Sequence, residues 1–152
     1  METLTYDITS VTDLAIAAAA LLNRARIRAV EYPDGAVALA LSGDLGAGKT
    51  TLVQLLARSL GIPDTVTSPT FVVMKQYETT NEIFTQLVHI DAYRIEDVDE
   101  MRPLGFAALL AEPQTLICIE WAERIAALLP LHTIAATLTL NRDETRTLTI
   151  HS

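Results

Sequence analysis

Val37-Ala38-Leu39-Ala40-Leu41-Ser42 runs directly into Gly43-Asp44-Leu45-Gly46-Ala47-Gly48-Lys49-Thr50, and this junction decides the fold. The first six residues are an apolar run of strand length. The next eight match G-x-x-x-x-G-K-[ST], the Walker A pattern of phosphate-binding loops. Beyond the loop, Leu52, Val53, Leu55, Leu56 and Leu60 recur at helical spacing. In a strand–loop–helix unit of this kind the glycines let successive backbone N–H groups converge on phosphate oxygens without Cβ interference. The start of the helix adds its free N–H groups and the positive end of its dipole. Lys49 then reaches the β- and γ-phosphates, and the Thr50 hydroxyl ligates Mg²⁺. The alternative, a Gly-rich turn carrying an exposed lysine, explains neither the strand before nor the helix after. The stretch predicts a nucleoside triphosphate site.

Outward from that unit the pattern is regular. Residues 3–8 alternate and read as an edge strand. Ser10, with Asp13 three positions on, resembles a capping box opening an alanine-rich helix to about residue 28. Pro33-Asp34-Gly35 is a turn before the central strand, and Gly61 closes the following helix. Residues 71–77 and 83–90 are β-prone runs joined as a hairpin. A short helix is expected over 104–111, and a strand buried on both faces at Leu116-Ile117-Cys118-Ile119. A helix from 121 to 129 and a final hairpin of 133–140 with 146–151 complete the chain. The expectation is one α/β domain over residues 1–152, a P-loop NTPase-like three-layer sandwich around a mixed sheet of about seven strands.

A nucleotide-borne Mg²⁺ needs one or two protein oxygens besides the phosphates. Two acids end apolar strands where such an oxygen belongs. Glu120 follows Leu116-Ile117-Cys118-Ile119, and Asp91 follows Leu87-Val88-His89-Ile90. Glu120 is the cleaner pattern, with an acid at the start of the next helix as the competing reading; for Asp91 the competitor is a turn or cap. In Ser68-Pro69-Thr70-Phe71, Thr70 is a candidate γ-phosphate sensor or simply part of a Ser-Pro turn. Trp121 either covers a nucleotide or packs at a core rim, and Arg94 either meets phosphate or sits on the surface. His89 reads as structural, and His132 and His151 give no metal spacing. Cys118 reads as a small core residue.

Composition sets outer bounds. Of 152 residues half are hydrophobic and a fifth charged, as in an ordered globular protein. The single cysteine cannot make an internal disulfide. The opening residues lack a basic region and an apolar core, which predicts no secretory signal; the apolar stretch at 14–22 is too short to span a bilayer. Cytoplasmic residence is the expectation. The net charge of −8, with eleven scattered Lys and Arg, argues against direct stable nucleic-acid binding. Acids gather at Asp91, Glu96, Asp97, Asp99 and Glu100, a solvated loop or a surface for a basic partner.

Four motifs occur in order: Gly43 through Thr51, Ser68-Pro69-Thr70-Phe71, His89-Ile90-Asp91-Ala92-Tyr93-Arg94 and Ile119-Glu120-Trp121. With these the chain resembles the TsaE (YjeE) family, bacterial P-loop ATPases required to form threonylcarbamoyladenosine next to the anticodon of tRNA. The resemblance covers essentially the whole chain. It implies ATP and Mg²⁺ as cofactors and the proteins TsaD and TsaB as partners, with ATP hydrolysis resetting their complex. It further implies that the loop from Gly43, Asp44, Leu45, Gly46, Ala47 and Gly48 to Lys49, Thr50 and Thr51 holds the phosphates. Thr50 and Glu120 would serve the metal, and Asp91, Lys49 and Thr70 hydrolysis. Trp121 falls in the family's E-W pair. Family members place adenine near the first helix, which points to Ser10 and Thr12. The chain departs from the family pattern there, with Leu14 where a threonine usually stands. An acidic protein serving tRNA modification is reasonable if a partner holds the tRNA, which makes the 91–100 segment a candidate partner contact through Asp97 and Asp99.

Competing functions are fewer. A small P-loop kinase acting on a small molecule shares the loop, but such kinases carry an arginine-rich lid, and no Lys or Arg lies between Pro103 and Glu123. A GTPase would need an N-K-x-D string, which does not occur. A nucleotide-binding module without useful turnover differs from an ATPase in whether Asp91 is required.

Overall fold

The computed structural model describes residues 2–63, 66–67 and 73–152. Its strands are β1 (Thr3–Ile8), β2 (Val37–Gly43), β3 (Met74–Glu78), β4 (Gln86–Asp91), β5 (Thr115–Glu120), β6 (Ile134–Leu140) and β7 (Arg146–His151). Among the described residues these form one seven-stranded sheet in the order β1-β7-β6-β2-β5-β4-β3. β2 lies at its centre, parallel to β5 on one side and β6 on the other, and β4 extends the parallel set beyond β5. Antiparallel pairs β3–β4, β6–β7 and β1–β7 close the margins. The continuous apolar runs are the parallel strands covered on both faces: every residue of β5 and the first five of β2 are buried.

Alternation along those strands sorts the core into two layers. Leu39, Leu41, Leu116 and Cys118 face α1 (Val11–Glu31) and α2 (Lys49–Ser59), packing with Leu14, Leu21, Leu52 and Leu56. Ala38, Ala40, Val88, Ile90, Ile117 and Ile119 face the opposite side, against Met101, Phe106 and Ile125. That side is covered by α3 (Phe106–Leu110) and by 3₁₀ turns at Val98–Leu104 and Ala122–Leu128. The result is the three-layer α/β sandwich expected from the sequence. Burying each large aliphatic side chain contributes about 1.5–3 kcal/mol. Burial also pushes the Cys118 thiol well above its usual range, so it stays protonated as a small core residue. Among the described residues no helix is long and apolar enough to cross a membrane.

Several boundaries differ from the sequence reading for local reasons. Ser10 does cap α1, its Oγ accepting from the Asp13 N–H at 3.1 Å. Asp13 reaches back one residue further than a capping box, accepting from the Thr9 N–H and hydroxyl at 2.9 and 2.7 Å. The helix then runs to Glu31 rather than residue 28. β4 starts at Gln86, not 83, because Asn81 Oδ1 takes the N–H groups of Ile83 and Phe84 and holds them in a turn. The helix expected over 104–111 is broken at Gly105, whose φ of 71° ends one turn and begins α3. The segment after Trp121 is 3₁₀, kinked at Ile125, rather than a regular α-helix. The first hairpin strand is described from Met74; Phe71 and Val72 lie outside the described residues.

Candidate functional site

The loop leaves the C-terminal end of β2 and turns into α2 within five residues, 44–48. Two glycines make this possible. A Cβ on Gly43 would stand 2.4 Å from the Leu138 carbonyl oxygen on β6, and its φ of +145° is one that L side chains rarely adopt. Gly48 caps α2 at φ 108°. The Ala47 N–H closes the loop on the Asp44 carbonyl at 3.1 Å, and Leu52 N–H bonds Gly48 O at 2.9 Å to start the helix.

Lys49 is the first residue of α2 and is only 5% exposed. Its ammonium donates to the Gly43 carbonyl and, at 3.1 Å, to that of Asp44, and lies 4.3 Å from the centre of the Trp121 ring. Burial lowers its pKa below the ordinary lysine value, while Glu120, Glu123, Asp44 and Asp91 pull the other way. The Thr50 hydroxyl, one residue on, donates between Glu120 Oε1 and Oε2 at 3.0 and 3.1 Å. Glu120 ends β5 and Asp91 ends β4; the two are in-register neighbours. Asp91 Oδ1 accepts from the Tyr93 N–H at 2.9 Å. Trp121 follows Glu120 with φ 57°, and the Tyr93 ring lies 5.0 Å from it.

These groups open onto a cleft of about 800 Å³. Leu45, Gly46, Gly48, Lys49, Thr50 and Thr51 of the loop and helix start line it, together with Asp91, Arg94, Glu120 and Trp121. Thr9, Ser10 and Val11, around the start of α1, and residues 143–146 of the last hairpin also line it. Ser10 is therefore at the cleft, although its hydroxyl already serves Asp13. Thr12 is exposed and does not line the cleft. Gly43, Asp44 and Ala47 do not line the cleft; Asp44 and Ala47 close the loop on each other and Gly43 packs against Leu138. Thr70 lies outside the described residues.

Two contacts went unread in the sequence. Arg146 Nη2 donates to the Gly46 carbonyl at 3.1 Å, tying the last hairpin to the loop from 100 residues away. His89, read as structural, places Nε2 2.5 Å from Glu120 Oε2. No local pattern announces either; only the pairing of β4 with β5 brings His89 to that carboxylate.

The donors at the mouth of the loop are a hydroxyl and carboxylates, hard oxygens that suit Mg²⁺ rather than a soft metal. Among the described residues no group of three or more His, Cys, Asp or Glu could hold a metal unaided. A nucleotide-borne Mg²⁺ does not need one, because phosphates and water supply the remaining ligands. The residues present therefore fit the ion.

A central parallel strand, glycine loop and helix, with acids on neighbouring strand tips, define a P-loop NTPase-like α/β protein. The family model described as "Threonylcarbamoyl adenosine biosynthesis protein TsaE" matches residues 8–148. The chain belongs to that family. Proteins called "tRNA threonylcarbamoyladenosine biosynthesis protein TsaE" are similar to it. The one from Bacillus subtilis is 39% identical over 111 residues, 73% of this chain and 66% of its own length. The one from Treponema pallidum is 35% identical over 118 residues, 77% and 82%. The one from Streptomyces coelicolor is 44% identical over 84 residues, 55% of each. The matches thus span little more than half of the Streptomyces protein and about two thirds of the Bacillus one. The crystal structure of YdiB from Bacillus subtilis superposes with a TM-score of 0.68 at 26% identity, covering 98% of this chain and 84% of that one.

Proposed function

We propose that residues 1–152 act as one Mg²⁺-dependent ATPase domain in the cytoplasm, the nucleotide-hydrolysing subunit of the machinery that forms threonylcarbamoyladenosine on tRNA. The observation that carries the reading is the Thr50 hydroxyl on the Glu120 carboxylate at the mouth of the glycine loop. Family membership supports the pathway.

Loop amides and Lys49 bind the β- and γ-phosphates, the ammonium turning from the carbonyls it now caps. Thr50 and Glu120 hold Mg²⁺, which when bound offsets phosphate charge. Asp91, buried beside them, orients the attacking water and takes up its proton as the γ-phosphorus bond to the ADP oxygen breaks. Trp121 and Tyr93 wall off the phosphates, and Ser10 marks the side toward which the base extends. Thr70 is the candidate γ-phosphate sensor. TsaD and TsaB are the partners this role requires, and hydrolysis resets their complex.

The test measures phosphate release from ATP and GTP with and without the TsaD–TsaB pair, together with ATP-dependent co-purification of that pair. Inorganic phosphate from ATP, stimulated by the pair, is expected. A phosphorylated small molecule in place of inorganic phosphate would make the protein a kinase.

A further inference from the structure

The scheme above gives His89 no part, yet this side chain is fully buried and its Nε2 lies 2.5 Å from Glu120 Oε2. His89 and Asp91 stand two apart on β4 and share a face, the one on which Asp91 neighbours Glu120 across the parallel pair. That face is otherwise apolar, with Leu87 on the same strand and Leu116 and Cys118 on the next. A histidine among them costs desolvation unless a specific contact offsets it. His89 Nδ1 is buried with no hydrogen-bond partner among the described residues; the contact that the ring makes there is that of Nε2 with Glu120. Glu120 is thereby gripped from two sides, by the imidazole at Oε2 and by the Thr50 hydroxyl.

We propose that His89 is a positioning residue: its Nε2–H fixes the Glu120 carboxylate so that an oxygen stays turned toward Thr50 and the phosphate loop, ready for the Mg²⁺ of a bound nucleotide. Partners behind a metal ligand lock its orientation before the metal arrives, and losing them typically weakens metal affinity 10- to 100-fold. The inference rests on the reading of Glu120 as a magnesium ligand.

The experiment titrates Mg²⁺ against the protein with a non-hydrolysable ATP analogue by calorimetry, and repeats the analogue titration in EDTA. His89→Leu, which keeps bulk and removes the donor, is expected to raise the Mg²⁺ midpoint about 10-fold or more while leaving affinity in EDTA within about twofold. His89→Gln, whose amide nitrogen can stand where Nε2 stands, is expected to restore the midpoint to within about threefold of the parent. A merely structural histidine would change thermal stability in both variants without this split. If His89→Leu does not fold, His89→Asn replaces it, its amide falling short of Glu120. A folded donor-less variant with an unchanged midpoint overturns the proposal, as does a Gln variant as impaired as Leu. Glu120→Ala separates the two levels. If it too leaves the midpoint unchanged, the metal role of Glu120 fails along with the proposal. If it raises the midpoint and His89→Leu does not, positioning alone fails.

Discussion

Asp91 and Glu120 stand side by side at the tips of β4 and β5, in register and only 7% and 4% exposed. Their hydrogen bonds differ. Glu120 takes the Thr50 hydroxyl, whereas Asp91 takes a backbone N–H of the segment that follows it. The tie of Glu120 to Thr50 of the phosphate loop suits it to the metal, and the proposed division gives Asp91 the part of base. Asp91→Asn is expected to bind ATP within about threefold of the parent and to lose about 10²–10⁴ in hydrolysis, as when a general base is removed. Glu120→Gln is expected to raise the Mg²⁺ requirement about 10- to 100-fold. Paired binding and single-turnover measurements check both; an Asp91 variant with normal turnover removes the base.

Lys49 yields a prediction with a definite pH sign. Burial lowers its folded pKa below the unfolded value near 10.5, with Glu120, Glu123, Asp44 and Asp91 only partly compensating. The unfolded chain therefore holds the proton more tightly, and stability from this group rises with pH between the folded and unfolded values. At neutral pH the folded state carries a penalty that Lys49→Met removes. Without nucleotide, the variant should melt above the parent at neutral pH, the gap closing as pH nears the unfolded value. ATP affinity should fall by roughly 2–5 kcal/mol, the loss expected when one partner of a charged contact is truncated. A variant that melts below the parent would mean that the bonds to the Gly43 and Asp44 carbonyls outweigh desolvation.

Gly43 tests the loop without touching a charge. A methyl group there meets the Leu138 carbonyl oxygen at 2.4 Å, and that oxygen is held by the β2–β6 pairing. Neither side can retreat cheaply. Gly43→Ala is expected to destabilise the protein by about 1–3 kcal/mol or more, read as a lower urea midpoint at unchanged slope. Gly46 is the control, since a Cβ there meets nothing within 4 Å, although its φ of +80° still adds strain. A Gly43 variant no weaker than the Gly46 one would show that the loop moves freely against β6.

What could be read in advance followed from how local the physics is. The glycine loop is contiguous, so its chemistry is spelled in one string, and β5 announces itself because a strand buried on both faces must be apolar throughout. Asp91 and Glu120 were legible as acids ending such strands, but not that one would hold the Thr50 hydroxyl. The His89–Glu120 and Arg146–Gly46 contacts depend on strand order and on a hairpin 100 residues from the loop, which no spacing encodes. The broken helix at Gly105 was missed because helical periodicity over 104–111 outweighed one glycine whose left-handed φ stops the turn. The family resemblance, which puts adenine near the first helix, points to Thr12 as well as Ser10, yet Thr12 is exposed and, unlike its neighbour Val11, does not line the cleft.

The acidic run read as a single patch divides into structural and surface parts. Asp97 Oδ1 accepts from the Asp99 N–H at 2.9 Å, and Glu100 Oε2 accepts from the Asp97 and Glu96 N–H groups at 2.8 and 2.7 Å, closing a capping box on the turn Val98–Leu104. Asp99 instead makes a 3.4 Å pair with Arg102, with both side chains largely exposed. Asp97→Ala should therefore lower stability by about 1 kcal/mol. Asp99→Ala should stay within about 0.5 kcal/mol, since exposed pairs of this kind contribute little. Urea unfolding of the two variants measures the difference directly. Equal losses would mean that the turn is held by Met101 and Phe106 in the core rather than by its cap. The distinction also decides how partner binding should be probed: lysine at Asp97 would loosen the turn itself, whereas lysine at Asp99 alters charge alone.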